Sequence, residues 1–256
     1  MTAIHAFDAM SRFSPRPLGR PGFPRVVAPT GRDAARWVEA HLHPLHEALL
    51  EDGAVLLRGV DLRELATFRA IAERIGGPLG RSGSRAGSTP RLSFWACRTP
   101  SILGRTLTMV DGRRVLGDLE DARIGRLLDE PLVVRRTDRS ADAGPRVTAW
   151  TTSAVRTHPI THEPAFAVAE LAFGERAGLQ RIERLLGRSE VSEVRTGSGR
   201  PIERSVVAHV REVTARHARV HRWEVGDVLV VDASSVLVDV GGGWGGFGVE
   251  GLESRA

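Results

Sequence analysis

The chain contains no lysine, no asparagine and no tyrosine, and a single cysteine, Cys97, among its 256 residues. Each absence removes a chemistry. Without lysine there is no Schiff-base amine and no lysine general base; without tyrosine there is no phenolic acid or phenolate nucleophile. One cysteine excludes an intrachain disulfide and a cysteine-based zinc cluster. No apolar run approaches the length of a membrane span, and the opening MTAIHAFDAMSRFSPRP has no apolar signal-peptide segment. The expectation is a cytoplasmic protein with no membrane partner. Acid–base chemistry is left to nine histidines, the carboxylates, Cys97 and the hydroxyl groups.

What is present is arginine, and it supplies every basic side chain behind the formal net charge of +5. The arginines are interleaved with Asp and Glu, as in RELATFRAIAERIGG and DGRRVLGDLEDARIGRLLDE. That is the pattern of solvated helix faces, not of a basic stripe that tracks phosphates, so no nucleic-acid partner is expected. The joint loss of Lys, Asn and Tyr reads as the bias of a GC-rich genome. With 41% hydrophobic residues the chain can bury a substantial core.

Residues 1–30 are rich in Pro, Gly and Arg and read as an irregular lead-in; residues 31–256 read as one domain with a glycine-rich tail. Trp37, Val38, Leu42, Leu45 and Leu49 recur at helical spacing from Asp33 to Leu50, with Pro44 as a kink. AVLLRGV (54–60) reads as a buried strand. A helix follows, with Asp61 as N-cap and Gly76 as C-cap. RLSFWAC (91–97) and RTLTMVD (105–111) read as strands, and Val115 to Leu128 as a helix. PLVVRRT and VTAWTTSAVRTHP read as further strands, Pro164–Leu186 as one or two helices, and RPIERSVVAHVREVTARHA as an amphipathic helix. HRWEVGDVLVVDASSVLVDV reads as two strands. His209, His217 and His221 read as surface, as do His41, His43 and His46. Cys97, inside an apolar strand, reads as inert packing.

Three stretches in this order resemble the taurine-dioxygenase-like (TauD/TfdA, clavaminate-synthase-like) family. They are EDGAVLLRGVDLRELATFRAIAERIGGPLG; TPRLSFWACRTPSILGRTLTMVDGRRVLGDL; and RTHPITHEPAF with WEVGDVLVVDASSVLVDV. The resemblance implies an α+β fold with a mainly β core: a distorted double-stranded β-helix, or jelly roll, with helical insertions. It also implies an iron(II) site of one His-x-Asp/Glu pair and one distant His, with 2-oxoglutarate beside it.

Those positions do not hold ligands. Setting VVDASSVLVDV on the family's D-N-x-x-x-x-H-G-R puts Asp232 on the Asp, Val238 on the distant His and Val240 on the Arg. The interval from Gly77 to Arg91, where the His-x-Asp/Glu pair belongs, has no His, Asp, Glu or Cys. His162 stands at the Gly of H-P-x-T-G-E. The expectation is therefore a degenerate member with neither iron nor 2-oxoglutarate as cofactor.

Three functions are compatible with that. The first is metal-independent chemistry on a small molecule in bacterial specialised metabolism: a cyclisation, elimination or isomerisation. His158, His162, Glu163 and Asp232 would be its catalytic groups, with Trp95, Arg105, Thr106, Ser234, Ser235 and Asp239 binding the substrate. The second is an inactive pseudo-dioxygenase that binds a ligand, or a partner such as a second copy or an enzyme of the same pathway. The third is an oxygenase with a triad rebuilt from His158, His162 and Glu163. For Asp232 there is also a purely structural role, because an Asp ending a strand caps the following turn. The tail GGGWGGFG, with Trp244 and Phe247, reads as mobile and sticky.

Overall fold

A computed structural model describes residues 23–31, 33–81, 91–99, 106–119, 124–125, 127, 130–140, 144–173, 189–240 and 249–254. Two sheets face one another. The larger has the order β1-β2-β12-β4-β14-β3 and the smaller β11-β5-β13. Here β1 is Arg25–Val27, β2 Ala54–Leu57, β3 Leu79–Arg81, β4 Leu92–Cys97, β5 Thr106–Asp111, β11 Arg219–Arg222, β12 Val228–Asp232, β13 Val236–Val240 and β14 Val249–Ser254. All pairs are antiparallel except β1 with β2. A second three-stranded sheet, β10-β6-β7 (β10 Ser189–Thr196, β6 Leu132–Ser140, β7 Gly144–Thr152), and a β8–β9 ribbon (Val155–Thr157, Pro164–Phe166) complete the strands. Among the described residues the sheets do not close into a barrel.

β12 shows why this sequence layers as it does. All five of its residues are buried. Val228 and Val230 face a cluster with helices α1 (Ala34–Ala40), α2 (Leu42–Asp52) and α3 (Leu65–Gly76). Leu229 and Val231 face the smaller sheet. A strand covered on both faces must be apolar at every position, which is what VLVV is. The same alternation sends Phe94 to the helices and Trp95 to the interior. Fully burying a side chain such as Phe94 contributes roughly 1.5–3 kcal/mol. On the far side of the smaller sheet, Val110 and Leu237 pack with helices α4 (Gly112–Leu119), α5 (Ala169–Phe173) and α6 (Arg204–His217).

Several boundaries differ from the periodicity. The first expected helix is two, broken at His41, and Pro44 sits in the first turn of α2, where its missing N–H costs nothing. Asp61 does not cap α3: the N-cap is Glu64, and the Asp61 carboxylate instead accepts from the Arg63 N–H at 3.2 Å. Pro164–Phe166 is a strand, followed by α5 alone among the described residues to 173. Thr106–Asp111 and Leu92–Cys97 fall where expected. The chain beyond Gly248 forms β14, inserted between β4 and β3, a strand the glycine-rich reading missed. The GGGWGGFG segment itself lies outside the described residues.

Candidate functional site

β12 ends in carboxylates, and each is locked. At its start Asp227, 0% exposed, accepts from Arg58 Nε at 2.9 Å, from Arg58 Nη2 at 3.2 Å and from Glu224 N–H at 2.9 Å. His221 Nε2 lies 3.0 Å from its second oxygen. Burial pushes the Asp227 carboxyl up, but the His221, Arg58 and Glu224 hydrogen bonds outweigh it and hold it below the usual value. His221 is therefore buried, not on the surface: as a β11 residue it points between the sheets, its ring edge-on to Trp223 at 4.9 Å. His46, also read as surface, lies with Nε2 2.8 Å from the Ile75 carbonyl and ties α2 to α3.

At the other end of β12, Asp232 is 0% exposed and His158 2%. Asp232 Oδ1 accepts from Ser234 N–H at 2.9 Å, the turn-capping bond expected of an Asp at a strand end. Its Oδ2 meets His158 Nε2 at 3.0 Å and accepts from Arg91 Nε at 3.2 Å. His158 Nδ1 accepts two backbone N–H groups, from Ile160 at 3.1 Å and Thr161 at 3.0 Å. With Nδ1 an acceptor, the ring proton sits on Nε2 and points at Asp232. Arg156 Nη1 donates to the Ala233 carbonyl at 3.0 Å. Two of the four expected catalytic residues, His158 and Asp232, thus meet, but both nitrogens and both oxygens are already committed to neighbours.

Glu163 and His162 point elsewhere. Glu163 is exposed; its Oε2 lies 3.3 Å from Arg113 Nη1 and accepts from Thr161 Oγ1 at 3.3 Å. It lines an open cleft of about 800 Å³ with Arg25, Glu47, Glu51, Arg113 and Thr161. Arg113, which the sequence reading passed over, is the hub of this cleft. It donates to both Asp111 oxygens and to the Leu50 and Glu51 carbonyls that end α2. Its signal was only its place two residues after Asp111. Arg25 closes the far wall on Asp52 and Glu51 at 2.5 and 2.7 Å.

His162 is the one described non-glycine residue at positive φ, 59°. A side chain there meets the following carbonyl, at a cost of about 1–2 kcal/mol, part of which glycine recovers. His162→Gly is expected to stabilise the fold by about 0.5–1 kcal/mol in urea unfolding; a loss of stability would mean that the imidazole makes a compensating contact.

The remaining expected residues are dispersed. Trp95 is buried in the interior between the two facing sheets, in the cluster of Leu107, Met109, Leu229 and Val236. Val238 packs against that same cluster, opposite Met109 in the β13–β5 register. Thr106 and Asp239 lie on strand positions that alternate with this set. They share the face of Val110 and Leu237, away from the interior. Ser234 and Ser235 are buried in the β12–β13 turn, where Ser235 Oγ donates to the Asp232 carbonyl at 3.4 Å and its own carbonyl accepts from Gly112 N–H at 2.7 Å. Arg105 lies outside the described residues. Cys97 is buried, and burial followed by the nearby Asp227 charge pushes its thiol up. Among the described residues no three His, Cys, Asp or Glu side chains gather as a metal site. None of the described helices is long and apolar enough to cross a membrane.

Comparison with known proteins places this architecture. The family described as taurine catabolism dioxygenase TauD, TfdA family matches residues 83–237, stopping one residue short of Val238. None of the curated proteins matches. Among solved structures, AAD-2 in complex with Mn(II) and N-oxalylglycine is similar with a TM-score of 0.63 at 14% identity, over 94% of this chain and 96% of that one. A protein described as an alpha-ketoglutarate dependent 2,4-D dioxygenase from Burkholderia xenovorans is similar with a TM-score of 0.60 at 12% identity, over the same shares, 94% and 96%.

Proposed function

The chain belongs to the taurine catabolism dioxygenase TauD/TfdA family, and from that premise we propose that it is a pseudo-dioxygenase, a member that binds a small polar molecule without oxidising it. The observation that carries this reading is Val238. It stands where the family's distant histidine would be, and its side chain is packed into the apolar interior against Met109 and its neighbours. A facial triad needs carboxylate and imidazole donors, and valine has no lone pair to offer. The other half of the triad has no source either, since Gly77 to Arg91 contains no His, Asp, Glu or Cys. The residues present do not fit iron. The cleft at Arg113 and Glu163 has the volume of a small-molecule site, with charged groups of both signs to orient a ligand.

Metal content measured after anaerobic incubation with Fe(II), together with a thermal-shift titration of 2-oxoglutarate, tests this. Substoichiometric iron and no shift are expected. Stoichiometric iron with a shift that depends on 2-oxoglutarate would overturn the proposal in favour of a rebuilt triad.

One observation favours a second reading, metal-independent acid–base work on a small molecule in bacterial specialised metabolism. His162 is held at positive φ between two cleft residues, Thr161 and Glu163, and strained backbone gathers at functional sites. On this reading Glu163 is the proton-transfer group, because it alone of the four expected catalytic residues lines the cleft. Glu163→Gln would then abolish turnover, whereas in a pure binding protein it would alter affinity only.

A further inference from the structure

β7 is an edge strand of an unusual kind. Its pairing among the described residues is with β6 alone, over the nine positions Gly144–Thr152. From Val147 to Thr152 it reads VTAWTT, six residues without a charge, a glycine or a proline. Soluble proteins blunt exposed edges with charge, proline, bulges or a covering element, because an open ladder pairs with any strand that meets it. The opposite edge of the same sheet obeys that rule: β10 carries Glu190, Glu193 and Arg195, the last two ion-paired. β7 does not.

One face of β7 is spoken for. Trp150 packs toward the helical cluster and lies under the Arg136 guanidinium at 5.3 Å. The other face, Val147, Ala149 and Thr151, is exposed, Val147 at 47%. We propose that β7 is a self-association edge, pairing antiparallel with β7 of a second copy to join two three-stranded sheets into one of six.

The strand chemistry selects this occupant and its register. A two-fold axis normal to the sheet keeps like faces together, so paired residue numbers must share parity. Pro145 has no N–H to give, which leaves 146–152 as the usable stretch, centred on Ala149. In that register Ala149 faces itself, the smallest side chain of the stretch on the axis. Val147 faces Thr151, Thr148 faces Trp150, and Arg146 faces Thr152. No like charges oppose one another. A charged foreign strand would find no counter-charge between Val147 and Thr152, whereas a second VTAWTT meets only small, β-branched and aromatic partners of the kind that favour pairing. A seven-residue edge contact lies at the small end of specific interfaces, so the dimer should be weak, with a Kd on the order of tens of micromolar.

The test is sedimentation or light scattering of the whole chain from about 1 to about 200 μM, across the expected Kd. The wild type should approach twice the monomer mass. Val147→Lys with Thr151→Lys places four lysines in facing pairs across the axis and should leave a monomer, as should Val147→Glu with Thr151→Glu. An equimolar mixture of the two variants should recover the dimer. Hydrogen exchange of the wild type supplies a readout that needs no variant: β7 amides should gain protection as concentration rises, while β10 amides should not. A wild type that stays monomeric throughout, or a dimer indifferent to the lysine pair, overturns the proposal. A mixture that fails to associate overturns the register.

Discussion

Replacing Asp227 by alanine is expected to cost about 3–5 kcal/mol of folding stability, the usual consequence of removing one partner from a buried ion pair. Among the described residues Asp227 is the only carboxylate within hydrogen-bonding reach of both Arg58 and His221, and it also takes the Glu224 N–H. Its loss strands a half-buried guanidinium, a buried imidazole and a backbone donor together. The arginine keeps Glu224 at 3.0 Å, but that partner is mostly exposed and is worth little. The backbone nearby adds to the damage, because Asp227 O and Gly226 N–H bond to both sides of Cys97 and so splice β12 to β4. Urea unfolding of the variant measures the cost; a change under about 1 kcal/mol would show that solvent can replace the pair.

The same residue sets an acid limit. Its carboxyl is held below the ordinary value, so its contribution is complete above the unfolded-state value near 3.9 and disappears as pH falls through the lower, folded-state one. Wild-type stability should therefore fall on acidification below about pH 4. Asp52 runs the other way: burial raises its carboxyl despite Arg25, so its contribution favours the acid side. Subtracting the pH profile of Asp227→Ala from that of the wild type cancels Asp52 and isolates Asp227. A flat difference between pH 2 and pH 5 would mean that the carboxyl is unperturbed, roughly as in a solvated aspartate.

How much was legible beforehand follows from range. β12 could be read because its burial on two faces writes itself as a continuous apolar run, and the motif order around it pointed to the family. The surface reading of His221 fails because it groups this histidine with the Arg-rich amphipathic stretch before it, whereas beyond Ala218 the chain is β11, with a side-chain period of 2. The strand alternation then sends His221 inward. β14 went unseen because six residues are too few to stand out behind a run of glycines. The His158–Asp232 pair lay beyond any local pattern, since its members are 74 positions apart. Each residue type was noticed, but only the fold shows that their hydrogen bonds are already spent. Arg91 and Arg113 had no periodic signature at all; they matter through what β4 and β5 deliver them to. The motif positions that persist thus include two carboxylates that hold the sheet together, at the two ends of β12, while the metal positions carry valine or nothing.

That division makes Asp232 the sharper test of scaffold against chemistry. Asp232→Asn preserves shape and the Oδ1 bond to Ser234 N–H, but it turns an amide N–H₂ toward His158 Nε2–H and Arg91 Nε, where an acceptor is required. His158 cannot respond by moving its proton to Nδ1, because that nitrogen already accepts from Ile160 and Thr161. Flipping the amide would only transfer the conflict to Ser234 N–H. The substitution should cost about 3–5 kcal/mol, close to that of Asp232→Ala. A double-mutant cycle with His158→Ala should return a coupling of about 1.5–3 kcal/mol, as for hydrogen bonds to a charged group. If Asp232 and His158 are scaffold, ligand affinity of the folded fraction will be unchanged while the unfolding midpoint falls. If instead the asparagine variant folds with wild-type stability and loses ligand binding or turnover, the pair is part of a site, and the buried end of β12 is where its substrate must reach.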